Sequence, residues 1–330
     1  MSICLFTRSV SIYAFITSIG LYAQVSAWEL KYENGIQTLQ AGHFTEASAV
    51  LESAYHEAQS MAAPVKAMSA IGLASAYLEE GRNEEAERSF VEARTILEAL
   101  KAPADQLAVV WNGIGETLLN RSRIDEGEKA IRQALELLDS AGQVNAVYYL
   151  CQRQLAEICL LREDYAQSAT LISALIAKLR KTEAGNGALL ASALSVHGRA
   201  LLMQRRATDA VAAIRESAEL QRQLGVERPA YADSLLLLSV AYRVTGHTER
   251  SQPLARKALK IYEDAGDPRA AFALRELGLL AARDGKTLTA QDYIMKALAM
   301  ARKGSMPERV TDAFEKDLAS VPMMASNRRK

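Results

Sequence analysis

The chain has 330 residues, enough for two or three ordinary domains or for one long repeat array. Lys and Arg together number 39 and Asp and Glu also 39, so the basic excess usual in a nucleic-acid binder is absent. Seven prolines and 6% aromatic residues, in a chain rich in Ala and Leu, suit an all-helical protein.

Residues 1–27 stand apart from the rest of the chain. Arg8 gives a short positive region, VSIYAFITSIGL (10–21) is apolar and uncharged, and Val25-Ser26-Ala27 offers small residues before Trp28. This pattern predicts a signal peptide cleaved after Ala27, hence a periplasmic or extracellular protein. The alternative is a retained N-terminal membrane anchor, although the apolar run is short of the roughly 20 residues a spanning helix needs. Cleavage would leave 38 basic and 39 acidic residues. Of the cysteines left, Cys151 and Cys159 lie eight apart on one predicted helix, about 12 Å by helical rise. They cannot bridge without unwinding it.

From Trp28 onward the chain repeats itself. The stretch Leu73–Ala93 reads as two short amphipathic helices around a turn at Gly81. Ala74 and Tyr77 share one face of the first helix; Ala86, Phe90 and Ala93 share one face of the second. Residues matching Ala86 recur as Ala47, Gly127, Ser168, Ala210, Ser251 and Ala290, all small and 39 to 42 residues apart. Twelve positions earlier stand Gly35, Ala74, Gly115, Ala156, Gly198, Ser239 and Gly278, again all small. Four positions after, the residue is large in six repeats, from Leu51 to Ile294, with Ala255 the exception. Gly42, Gly81, Gly246 and Gly285 fall five before their anchors, where a left-handed residue can end a helix.

In chain order the repeats span about 28–60, 63–100, 104–141, 144–181, 188–225, 229–266 and 268–303. Trp28 and Tyr32, with no repeat before them, are read as a cap or a dimer surface. Trp111 and Gly115 mark the third repeat. The connection 181–187, with two glycines, is the predicted soft joint. Pro253 should make the second helix of repeat six start late or bend. Val310, Phe314 and Leu318 predict one more amphipathic helix over 307–320, and 321–330 reads as a disordered tail.

The pattern resembles the tetratricopeptide repeat (TPR), in the longer variety of about 41 residues seen in kinesin light chains. The resemblance covers roughly residues 28–303. It implies an all-α protein: a right-handed α-solenoid of about seven TPR-like helix pairs plus a C-terminal capping helix.

Sequence motifs for chemistry are missing: the chain has no HExxH, GxSxG, paired CxxC or GxGxxG. Gly285-Lys286-Thr287 imitates the end of a phosphate loop, but Leu280 stands where its first Gly belongs. His43, His56, His197 and His247 are dispersed; His197 reads as a core residue. No catalytic residue, metal site or cofactor is expected.

What the resemblance implies is a ligand in a concave groove lined by the first helix of each pair. The groove positions then hold Asn112, Glu116 and Asn120, Arg153 and Glu157, Ser192, Ser195 and Arg199, Asp233 and Arg243, Arg275 and Arg283. Repeats one and two would present Tyr32, Ile36, Met68, Ile71 and Leu78, so the groove reads as apolar at its start and arginine-bearing toward its end. Arginine forks suit carboxylates, which points to a protein or peptide with acidic groups. The opposing reading pairs these arginines with Glu116, Glu157 and Asp233, or leaves them solvated. The expected function is a non-enzymatic protein- or peptide-binding scaffold of the cell envelope, with a membrane contact only through an uncleaved N-terminus. The alternative is a cytosolic or membrane-tethered regulatory or sensor array. Oligomeric state and the partner's identity are not legible.

Overall fold

Small residues twelve apart let two helices touch, and a large residue four places on fills the gap between them. The computed structural model, which describes residues 27–181, 187–225, 229–304 and 306–326, with side chains to 321, shows this in six of the seven repeats. Seven helix pairs follow one another: α1 (Ala27–Ala41) and α2 (Phe44–Ala58), α3 (Ala63–Glu80) and α4 (Asn83–Ala99), α5 (Ala104–Asn120) and α6 (Ile124–Ser140), α7 (Ala146–Leu161) and α8 (Tyr165–Leu179). Then come α9 (Gly187–Met203) and α10 (Ala207–Gln223), α11 (Pro229–Val244) and α12 (Thr248–Asp264), α13 (Ala270–Arg283) and α14 (Thr287–Lys303), and last α15 (Glu308–Ser326). Among the described residues there is no strand, and no helix is long and apolar enough to cross a membrane. The predicted leader 1–27 falls almost wholly outside the described residues.

The predicted registers are the packing registers. Leu51, Phe90, Ile131, Ile172, Ile214 and Ile294 are each 0% exposed. Where their partner on the first helix is glycine, a Cβ there would collide: 2.6 Å from Leu51 at Gly35, from Ile131 at Gly115 and from Ile294 at Gly278. Repeat six departs in a consistent way. Its large place holds Ala255, and its two small places hold serines whose hydroxyls hydrogen-bond to each other, Ser239 to Ser251, at 2.8 Å.

Every second helix starts three residues before its anchor. That includes α12, so the late start expected at Pro253 does not occur; the helix begins at Thr248 and takes Pro253 as its sixth residue, which gives up one backbone hydrogen bond there. The turn between paired helices needs one left-handed residue. Gly42, Gly81, Gly246 and Gly285 supply it at φ 77° to 89°. The other three repeats use Ser122, Glu163 and Arg205 at φ 61° to 63°, so the turn is made without glycine.

Contacts divide the chain into an N-terminal unit, Met1–Leu175, and a C-terminal unit, Ile176–Lys330. The soft joint expected at 181–187 falls on a segment of which 182–186 lie outside the described residues. In the C-terminal unit α15 runs six residues beyond its expected end. Val321 is the reason: it is fully buried against Ala281, Ala282, Ala290 and Ile294. Residues 327–330 of the predicted tail are outside the described set. Arg275 pairs with Asp317, and Phe272 meets Phe314 edge-on at 5.7 Å, both 42 residues apart. The offset is one repeat, so α15 lies on α13 as an eighth first helix would.

Candidate functional site

The first helices α1, α3, α5 and α7 of the N-terminal unit present a surface that is more closed at its start than the sequence suggests. Trp28 and Tyr32 stack at 5.4 Å and are both buried. The indole Nε1 of Trp28 donates to Ser69 Oγ at 2.8 Å. Tyr32 lies on Gly72, where a Cβ would stand 2.6 Å from its ring. The expected cap or dimer surface is therefore an interior contact between α1 and α3. Ile36 and Leu78 are buried too, and Met68 and Ile71 are half-buried against the same core.

Further along, polar groups interlock between α5 and α7. Asn112, 1% exposed, donates its amide to Gln154 Oε1 and, at 3.4 Å, to Cys151 Sγ. Gln154 in turn donates to Glu116 Oε2 at 3.2 Å. Asn112 and Glu116 are thus brought together through a residue the groove pattern omitted. Burial pushes the Cys151 thiol up to about 12, against the opposing pull of the Asn112 hydrogen bond. Arg153 is buried and pairs with Glu157, one turn on, at 2.8 Å. Asn120 is exposed at the end of α5, where it donates to Asn83 at the start of α4, 3.2 Å away.

In the C-terminal unit most of the predicted arginines already hold partners. Arg243 pairs with Glu276 at 2.8 Å, and that carboxylate is 3% exposed. Burial raises the Glu276 pKa, and Arg243 opposes the rise. Arg275 pairs with Asp317 and lies 5.6 Å from the Phe314 ring. Arg283 donates to the backbone carbonyl of Arg243. Arg199 is half-buried on α9. Asp233 accepts from Tyr262 at 2.6 Å and pairs with Arg269 at 2.7 Å, so its cation comes from the loop before α13 rather than from a groove position. Ser195 joins Ser217 and Ser234 in a hydroxyl cluster, at 2.8 and 3.4 Å.

Gln154 and Glu276 occupy the same place, two residues before the small residue of the first helix. Repeat one holds Glu33 there and the other four hold Gly72, Gly113, Val196 and Leu237, so a polar residue in a register that is mostly apolar was the signal that could have found them.

A second feature involves the second helices. A cleft between α2 and α4 is lined by Glu52, Tyr55, His56, Tyr77, Arg88 and Glu92. Its carboxylates are engaged: Tyr55 donates to Glu92 at 2.7 Å, and Tyr77 donates to Glu52 at 2.6 Å. Among the described residues no group of His, Cys, Asp and Glu side chains could hold a metal ion.

No family model matches the chain, and no curated protein matches its sequence. Solved structures do match its fold. The Rap conjugation gene regulator of plasmid pLS20, in complex with the Phr* peptide, is 14% identical with a TM-score of 0.70, over 87% of this chain and 76% of that one. A Rap protein complexed with Competence and Sporulation Factor is 10% identical with a TM-score of 0.65, over 95% and 91%. NprR in complex with its cognate peptide NprX is 12% identical with a TM-score of 0.64, over 82% and 79%. The fold is that of the TPR-like α-solenoids.

Proposed function

We propose that the chain is a non-enzymatic scaffold that binds a protein or peptide on the surface of its first helices and acts in the cell envelope after export. The observation that carries this reading is the surface itself. Within each unit, polar and charged side chains of the first helices are held in place by neighbours on adjacent first helices, which is the preorganisation a binding face needs. Three similar solved structures, each of low identity, are complexes with a peptide or a named factor, which supports the same reading. Export rests on the leader-like pattern of residues 1–27 alone.

A regulatory array with an uncleaved N-terminus is the second reading. It is favoured by one observation: the similar solved chains include a gene regulator and a quorum sensor.

One experiment separates these readings. The full chain, tagged at its C-terminus and expressed in its own cells, is fractionated, crosslinked and mapped, and its N-terminus is sequenced. Recovery from the envelope with Trp28 as first residue, and crosslinks concentrated on first helices, supports the scaffold. A cytosolic or membrane-bound protein that retains its first 27 residues supports the regulatory array. Crosslinks confined to second helices would remove the first-helix surface from either reading.

A further inference from the structure

The first helices of the C-terminal unit end on equivalent residues. Met203 closes α9, Val244 closes α11 and Arg283 closes α13, each five places after the small residue of its repeat. α9 packs on α11, and α11 on α13, so the three positions form a row. Met203 is 54% exposed and Val244 is 55% exposed. Leu236 and Val240, both half-buried, extend the apolar strip back along α11 at four-residue steps.

Arg283 is anchored but not neutralised. It donates to the carbonyl of Arg243, the residue before Val244, which fixes its guanidinium at the end of α11. Among the described residues it forms no ion pair with a carboxylate. A guanidinium has five N–H groups, so one carbonyl leaves most of the fork available. The row is not a consequence of the fold. In the N-terminal unit the same places hold Gln40, Glu79, Asn120 and the half-buried Leu161.

Packed helices lie roughly 8–10 Å apart. A polyproline II strand advances about 3.1 Å per residue with three residues per turn, so every third side chain returns to one face about 9 Å on. The two spacings match. We propose that Met203, Val244 and Arg283 form a docking row for an extended acidic peptide of pattern apolar-x-x-apolar-x-x-acidic. Its two apolar side chains rest on Met203 and Val244, and its carboxylate is taken by the Arg283 fork. This rests on the reading of the first-helix surface as a peptide-binding face and adds to it the ligand's chemistry and spacing.

The test is fluorescence polarisation of the full chain with the labelled probe Leu-Ser-Pro-Leu-Ser-Pro-Glu, amidated at its end. Saturable binding is expected. It should weaken at least tenfold with Arg283→Glu, with Val244→Ser, or when the probe's Glu is replaced by Gln. Arg302→Ser, which removes an exposed arginine already paired with Glu315, should leave it unchanged. Thermal melts confirm that each variant folds, and Arg283→Lys, which keeps the charge and loses the fork, should give an intermediate affinity. Binding indifferent to both Arg283→Glu and the Gln probe overturns the proposal. A random heptapeptide library run in parallel separates the two levels. Captured peptides that lack the pattern and ignore Arg283→Glu overturn the docking row and leave peptide binding standing. Capture of no peptide at all removes both.

Discussion

Ile131 closes over Gly115. A Cβ on that glycine would stand 2.6 Å from Ile131 Cγ1 and 3.1 Å from the carbonyl oxygen of Gly127, so both a side chain and the facing backbone set the approach of α5 and α6. Gly115→Ala should therefore destabilise despite the better helix propensity of alanine. Overpacking costs about 1–3 kcal/mol, and propensity returns about 1 kcal/mol, for a net loss of up to about 2 kcal/mol in urea unfolding. In an Ile131→Ala background the same substitution should cost less than half as much. An undiminished cost would assign the strain to the Gly127 carbonyl instead.

The three turns made without glycine are candidates for stabilisation. Ser122, Glu163 and Arg205 hold φ near 60°, a conformation that costs an L-residue about 1–2 kcal/mol. Glycine adopts it freely but is more mobile when unfolded. Each change to Gly should gain about 0.5–1 kcal/mol in urea unfolding. Gly81→Ala, at φ 83°, should lose a similar amount.

Glu276 is a buried carboxylate whose ion-pair partner is Arg243, with further support from Arg275 and Ser239. Removing the partner with Arg243→Ala leaves the charge unpaired and should cost about 3–5 kcal/mol. It also removes the side chain that lies against α13. The double change Arg243→Met with Glu276→Leu should recover most of that loss. If Arg243→Ala proves as mild as an exposed ion-pair deletion, about 1 kcal/mol or less, water reaches Glu276 in solution.

Cys151 and Cys159, the cysteines among the described residues, differ in exposure and are not bonded to each other. Burial raises both thiols, Cys151 to about 12. A thiol must lose its proton to react. In the folded protein at pH 8, a thiol reagent should therefore label Cys159 first, and Cys151 only after unfolding. Mass spectrometry of the labelled peptides reads the order. Asn112→Ala removes the donor to Cys151 and should speed its labelling through local loosening between α5 and α7.

His197 supplies a pH dependence. Its pKa is lowered, first by burial and then by Arg206 and Arg180, so the folded state binds its proton less readily than the unfolded state. Stability from this group is complete above the unfolded value near 6.5 and is lost as pH falls toward the folded value. Urea midpoints should drop on acidification across that window, and His197→Gln should flatten the drop. An unchanged slope would place the acid sensitivity in other groups.

Much of this was legible in one dimension. The small residues twelve apart and the large residue four places on follow from local periodicity, because a helix pair buries its own contact within about 30 residues. Two local expectations failed. The late start expected from Pro253 does not occur, since α12 begins at Thr248 and carries the proline as its sixth residue, and the end of α15 is set by tertiary burial of Val321 against α13 and α14 rather than by composition.

The candidate surface was legible as positions and not as contacts. Asn112, Arg153, Arg243 and Arg275 stand on first helices as expected, yet each is engaged by a side chain of its own chain. Arg153 could be paired from its i, i+4 spacing with Glu157. The others could not.

The sequence by itself determined that this protein is a series of helix pairs, which faces of those pairs meet and where the turns lie. Those features depend on the order of residues along each helix. The tertiary structure alone decided which polar groups are already occupied. Asn112 and Gln154, Arg243 and Glu276, and Arg275 and Asp317 are 33 to 42 residues apart, and their pairing depends on the spacing between helices of successive repeats. Whether a charge is neutralised or remains available to a ligand is set by that spacing, which no local window of sequence contains.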